Sequence, residues 1–248
     1  MNCSFEGKVA LVTGANRGIG SVIATKLAEY GADIVICDIE IDETNEVYSD
    51  IRALGRDVMG VKLDITNVDA VYATVKDIIA KKGKIDILVN NAGAFPPSPM
   101  IDADEKYFDF TINVNLKGMF FVTQAVVKES MIPNNYGRIV SISSCDGKTP
   151  SAGVAVYGAA KAGVIALSNS YALELADYDI NSNVVAPGWV ESKQVLAGER
   201  WKDAIKLIPA RRLGHLSEIA EAVCFLCDDR VSYINGETLD VNGGIIMD

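Results

Sequence analysis

The sequence predicts a single doubly wound α/β domain, one parallel sheet of about seven strands with helices on both faces. Three observations carry that expectation. Short apolar runs alternate with longer amphipathic stretches. The apolar runs are nearly continuous, as in strands covered on both sides. No linker, internal repeat or low-complexity tract divides the 248 residues, a length that one core can serve, so 1–248 reads as one domain.

The elements follow in order. KVALVTG (8–14) is an apolar first strand, and IGSVIATKLAEYG (19–31) has the apolar spacing of a helix. DIVICD (33–38) is the second strand, 42–54 a helix, and DVMGVKLD (57–64) the third strand. An amphipathic helix over 67–82 leads to IDILVNNAG (85–93), a strand that runs into glycine. Residues 104–131 read as a helix, RIVSISS (138–144) as the fifth strand and 154–177 as a long helix. INSNVVAPG (180–188), a helix over 217–228 and GETLDVNGG (236–244) complete the pattern. The longest non-periodic region, 189–215, follows the sixth strand, where a substrate loop or lid belongs.

A formal net charge of −10 argues against a nucleic-acid partner, which needs clustered Lys and Arg. No stretch is long enough to cross a bilayer, and MNCSFEGKVALVTG does not read as a signal peptide, so the expected compartment is the cytoplasm. The match of Asn2-Cys3-Ser4 to a glycosylation sequon is then fortuitous. Five cysteines (Cys3, Cys37, Cys145, Cys224 and Cys227) read as free thiols. Cys224 and Cys227 form a CxxC inside a helical apolar pattern and read as core packing. With His215 the only histidine, no metal site is expected.

Between the first strand and its helix lies TGANRGIG (13–20), with Gly14, Gly18 and Gly20. At such a turn exposed N–H groups and a helix N-terminus favour a pyrophosphate, which makes the fold Rossmann-like. The spacing is G-x-x-x-G-x-G, distinct from the G-x-G-x-x-G fingerprint, and no G-K-[ST] follows. Asp38 ends the second strand, where a carboxylate accepts from ribose hydroxyls and repels a 2′-phosphate. Arg17 pulls toward a 2′-phosphate, but nothing basic follows Asp38. NAD is therefore expected over NADP.

In VYGAAKAG, Tyr157 and Lys161 share one helix face at i and i+4. A phenol titrates near ~10, so acid/base work at neutral pH needs a nearby cation. Ser144 stands at the carboxyl end of the fifth strand, the sheet edge where ligands bind, and can orient a carbonyl or alcohol oxygen beside that phenol. A Ser-His-Asp hydrolase is excluded by the lone, distant His215 and the missing nucleophile elbow.

These motifs, in this order and over nearly the whole chain, resemble the short-chain dehydrogenase/reductase family. The resemblance implies a tetrad of Asn115, Ser144, Tyr157 and Lys161. Tyr157 would be the general acid/base and Lys161 would hold the ribose and lower the tyrosine pKa. Asn115 would anchor a relay water. It implies cofactor contacts at Gly14, Arg17, Gly18, Ile19, Gly20, Asp38, Asp64, Ile65, Asn91, Ala92 and Gly93. Pro187, Gly188, Val190 and Ser192 would form the carboxamide loop, and VNGG (241–244) resembles the C-terminal signature. Ser192 stands where threonine is commoner. Cys145 and Asp146 replace small or apolar residues; Cys145 reads as a filler, or both line the pocket.

Substrate contacts are expected from Ser144, Asp146, Phe95, Tyr157 and Trp189, joined by Pro96, Pro97, Val154 and Val156. Their mostly apolar character suits a secondary alcohol or ketone, while Asp146 suits a sugar or polyol. A 3-oxoacyl carrier-protein reductase using NADP is the alternative within the family. ELADYDIN, which closes the helix after Tyr157, offers no basic docking patch for an acidic carrier. A non-catalytic NAD-binding regulator would have no use for the tetrad. The apolar faces of 104–131 and 154–177, packed as in the family, imply a homodimer or, in preference, a homotetramer.

Overall fold

The computed structural model describes residues 4–247. Asn2 and Cys3, and with them the sequon, lie outside the described residues. Seven parallel strands form one sheet in the order β3-β2-β1-β4-β5-β6-β7. They are β1 (Val9–Thr13), β2 (Asp33–Asp38), β3 (Val58–Lys62), β4 (Ile87–Asn90), β5 (Gly137–Ile142), β6 (Ile180–Pro187) and β7 (Thr238–Val241). The doubly wound parallel sheet expected from the apolar runs is what forms.

Side chains alternate across the sheet with a period of two. Ala10 and Val12 of β1, with Ile34 and Ile36 of β2, join a core with α1 (Gly18–Glu29), α2 (Glu46–Ala53) and α10 (Leu216–Cys227). Val9, Leu11 and Val35 face the opposite core, built with α3 (Val68–Lys82) and α5 (Gly118–Val126). Cys224 and Cys227 are fully buried in the first core, so the CxxC packs. The strand order reverses between β1 and β4. The loops after these strands diverge there and open a crevice at the carboxyl edge.

Three elements differ from expectation. The helix predicted over 104–131 is a chain of α4 (Glu105–Ile112), α5 and α6 (Ile132–Asn134), joined by π-helical segments at Asn113–Lys117 and Val127–Met131. A wider turn leaves neighbouring apolar spacings almost unchanged, so sequence periodicity does not reveal it. The helix predicted from 42 begins at Glu46, because Asp42 Oδ1 accepts from Thr44 N (3.0 Å) and Oγ1 (2.6 Å) and holds a turn instead. The non-periodic 189–215 contains two short helices, α8 (Lys193–Leu196) and α9 (Arg200–Leu207). Only Ala204 among their residues is buried, which leaves no apolar stripe to read. The base of this segment is closed by Glu191 N to Gly214 O (3.0 Å) and Gly214 N to Trp189 O (2.9 Å).

α7 (Ala155–Glu174) runs from the carboxyl edge toward the opposite edge of the sheet. There the buried Arg138 donates to Asp229 Oδ1 (2.9 Å) and the Asp179 carbonyl (3.0 Å), with its guanidinium 4.5 Å from the Tyr136 ring centroid. Replacing this fork with a thioether removes charged hydrogen bonds, while the Asp229 carboxylate stays wet. Arg138→Met is expected to lower the unfolding free energy by about 2–3 kcal/mol in urea titrations and to leave the distant crevice intact.

Candidate active site

The crevice is built first from backbone. Gly14 and Gly18 adopt φ of 64° and 67° at the end of β1 and the start of α1. A Cβ on Gly14 would lie 2.8 Å from Ala92 Cα, and one on Gly20 would lie 2.3 Å from the Gly14 carbonyl oxygen. Both positions therefore exclude any side chain. A Cβ on Gly18 would meet nothing within 4 Å, so the loop is open on its outer side. Arg17, the N-cap of α1, makes no side-chain capping bond, so the first-turn N–H groups around Gly18, Ile19 and Gly20 are available to an anion.

The loop is fastened to the end of β4. Asn91 Nδ2 donates to the Thr13 and Gly14 carbonyls, both at 2.9 Å, and the backbone N–H groups of Asn91 and Ala92 both donate to Thr13 Oγ1 at 3.0 Å. Thr13 lay in plain view at the head of TGANRGIG, but its role was missed because a strand-end hydroxyl carries no signal without its partners. At the β2 end, Asp38 accepts from Asn16 N (3.0 Å) and Glu40 N (3.3 Å). It remains partly exposed at the mouth of the crevice. Asp64 is exposed, with Oδ1 held by Thr66 N (2.9 Å) and Oγ1 (2.7 Å). Ile65 is buried beside Gly118, whose Cβ would fall 2.7 Å from Ile65 Cγ1.

The residues expected to carry the chemistry converge next to this loop. Ser144 follows β5 and accepts from Asp146 N at 3.1 Å, which directs its hydroxyl oxygen while leaving its proton to donate. Tyr157 and Lys161 sit in the first turns of α7. Phe95 meets the Tyr157 ring edge-on, with centroids 4.7 Å apart. Lys161 is buried, donates to the Ile142 carbonyl at 2.8 Å, and holds its ammonium 5.7 Å from the Tyr157 ring centroid. The missing side chain of Gly93 leaves the approach open: a Cβ there would lie 2.9 Å from Asn115 Oδ1 and 3.5 Å from Lys161 Nζ.

The Asn115 side chain bonds to the main chain: Oδ1 accepts from Ala94 N (3.1 Å), and Nδ2 donates to the carbonyls of Ala94 (2.9 Å) and Thr111 (3.0 Å). Both amide donors are used, so this side chain braces the loop after β4. The Tyr157 phenol lies in a desolvated setting. Burial pushes the phenol up, the Ser144 hydroxyl pulls it back, and Asp146 and Cys145 raise it further.

The loop expected to hold the carboxamide begins where Gly188 N donates to the Val241 carbonyl (3.0 Å). A Cβ on Gly188 would lie 2.9 Å from Asn242 Cα, so this junction also requires glycine. Pro187 and Val190 are buried, and Ser192 Oγ accepts from Val195 N (3.2 Å) as the cap of α8, keeping its own proton to donate. Asp146 lines a hollow with Lys148, Val154 and Gly158. Trp189 lines a separate one with Arg212, Glu218 and Asn242, apart from Phe95 and Tyr157. Cys145 is half-buried, with its thiol pushed up by desolvation.

Burial lowers Lys161 from 10.5 to about 8. A depressed lysine means that the unfolded chain binds more protons between those values, so stability rises with pH through that window. The stability of the wild type relative to Lys161→Met is therefore expected to increase from pH 7 to pH 10 in denaturant titrations of the ligand-free protein, with no such trend below pH 7.

The comparisons agree with this geometry. A family model described as enoyl-(acyl carrier protein) reductase matches residues 14–246. The 3-oxoacyl-(acyl-carrier-protein) reductase FabG of Salmonella typhimurium is 40% identical over 246 residues, covering 98% of this chain and 99% of the relative. A solved NAD+-bound xylitol dehydrogenase superposes with a TM-score of 0.90 at 34% identity, covering 97% of this chain and 99% of the other. A protein of Agrobacterium tumefaciens assigned as a 2-deoxy-D-gluconate 3-dehydrogenase, with bound NADP, superposes equally well at 0.90 and 36% identity, covering 98% and 97%. A nicotinamide dinucleotide fits the glycine cradle and the open approach at Gly93. The chain belongs to the short-chain dehydrogenase/reductase family of oxidoreductases.

Proposed function

We propose that this protein is an NAD(H)-linked enzyme interconverting a secondary alcohol and a ketone. The observation that carries this reading is the convergence of Ser144, Tyr157 and buried Lys161 beside the glycine cradle. The bound nicotinamide supplies or accepts a hydride at the substrate carbon. Tyr157 gives or takes the proton on the substrate oxygen, and its ring is oriented by Phe95. Ser144 donates to the same oxygen. Lys161 spends one of its three N–H donors on Ile142, which leaves two for ribose hydroxyls. Asp38 selects NAD by repelling a 2′-phosphate. Residues 189–215 cover the site as a lid. Phe108 and Phe110 of α4 and Leu173 of α7 are exposed, as faces buried between the four copies of a cytoplasmic homotetramer would be.

A second reading, an NADP-linked reductase of 3-oxoacyl groups on a carrier protein, is favoured by the 40% identity to such an enzyme. It also gains from the lid. Lys193, Arg200, Lys202, Lys206, Arg211 and Arg212 are exposed there against Glu191, Glu199 and Asp203, a basic surface the end of α7 does not offer. Asp146 beside the site, and the xylitol and deoxygluconate relatives, support polyols as a further substrate group.

A panel of secondary alcohols, polyols and 3-oxoacyl thioesters, assayed with each coenzyme, separates these readings. Tighter binding of NADP than NAD would overturn the assignment of Asp38. Tyr157→Phe is expected to lower kcat by about 10²–10⁴-fold, with coenzyme affinity by calorimetry within about twofold of wild type. Retained turnover would remove Tyr157 from the chemistry. Sedimentation equilibrium is expected to give four chains per particle.

A further inference from the structure

The loops after β1 and β2 meet at Asp38. Thr13 and Cys37 are in register on adjacent parallel strands, so the two loops leave the sheet side by side. Asp38 Oδ2 accepts from Asn16 N at 3.0 Å and Oδ1 from Glu40 N at 3.3 Å, which brings the residues around Asn16 and Glu40 together over one carboxylate. Arg17 follows Asn16, and its Nη1 lies 3.4 Å from Glu40 Oε2. The next guanidinium along, Arg52, is taken by Glu43 at 2.6 Å. Asp42 adds a further carboxylate, occupied by Thr44.

We propose that Glu40 is a specificity residue for the coenzyme: it holds Arg17 in an ion pair and so withholds from a ribose 2′-phosphate the cation placed to receive it. The proposal deepens the NAD reading and rests on Asp38 facing the ribose. A 2′-phosphate brings nearly two negative charges to a place where Asp38 already stands. It gains from Arg17 only by displacing Glu40, whose carboxylate then remains as a second like charge at the same mouth. Arg17 alone in the sequence suggests tolerance of NADP, and Glu40 cancels that tolerance. Both side chains are about three-quarters exposed, so the effect is several-fold rather than absolute.

The test is calorimetric binding of ADP-ribose and 2′-phospho-ADP-ribose, which lack nicotinamide and report binding without turnover. Wild type, Glu40→Gln, Arg17→Ala and the double variant are compared. Glu40→Gln is expected to tighten 2′-phospho-ADP-ribose by about 3–10-fold and leave ADP-ribose within about twofold. In the Arg17→Ala background the same change is expected to produce no gain. An unchanged affinity in Glu40→Gln overturns the proposal. So does a gain that persists without Arg17, because it would then come from charge removal alone. Wild type binding 2′-phospho-ADP-ribose more tightly than ADP-ribose overturns the NAD reading and leaves the Glu40 comparison intact. Binding of neither ligand overturns both.

Discussion

The site depends on a short stitch between the first and fourth strands. The Thr13 hydroxyl receives two backbone N–H groups from the end of β4, and the Asn91 amide returns donors to Thr13 and Gly14. These bonds span nearly eighty residues of chain. They hold the glycine loop against Ala92 so closely that no Cβ fits at Gly14 or Gly20. With that edge fixed, Gly93 lies beside Asn115 and Lys161, and Asn115 braces Ala94 from the other side. The glycine loop and the Tyr157–Lys161 pair are thus two ends of one hydrogen-bonded frame.

Within this frame the electrostatics run against charge. Burial depresses Lys161 and raises Tyr157, so desolvation works against both an ammonium and a phenolate. Lys161 donates to a carbonyl oxygen, that of Ile142. A buried cation held this way costs stability and has donors to spare for ribose hydroxyls. The mouth of the crevice has the opposite character, with Asp38, Glu40, Asp42 and Glu43 in a short acidic stretch that engages Arg17 and Arg52.

Much of the fold was legible because fully buried strands announce themselves as apolar runs. Where the reading slipped, a local competitor was responsible. Asp42 captured Thr44 and delayed α2, and wide π turns passed unseen within α4 to α6. The short helices α8 and α9 bury too little to leave a periodic signature. In the site, residue types with a distinctive chemistry were readable: the glycines, Ser144, Tyr157, Lys161 and Asp38. Residues acting through hydrogen-bond geometry were not. Thr13 and Glu40 are unremarkable in sequence, and nothing along the chain ties the Asn115 amide to Ala94.

The sequence by itself determined the sheet, the glycine turn and the residue types set at the carboxyl edge, since each follows from local pattern and spacing. Only the tertiary structure decided what those residues touch. It turned Lys161 toward Ile142, closed Asn115 on Ala94, set Trp189 in a hollow apart from Tyr157, and placed Glu40 on Arg17. The reason is that each pairing joins groups from separate elements. Which partner is within 3 Å depends on how adjacent parallel strands and their loops are aligned, and no spacing along the chain encodes that distance.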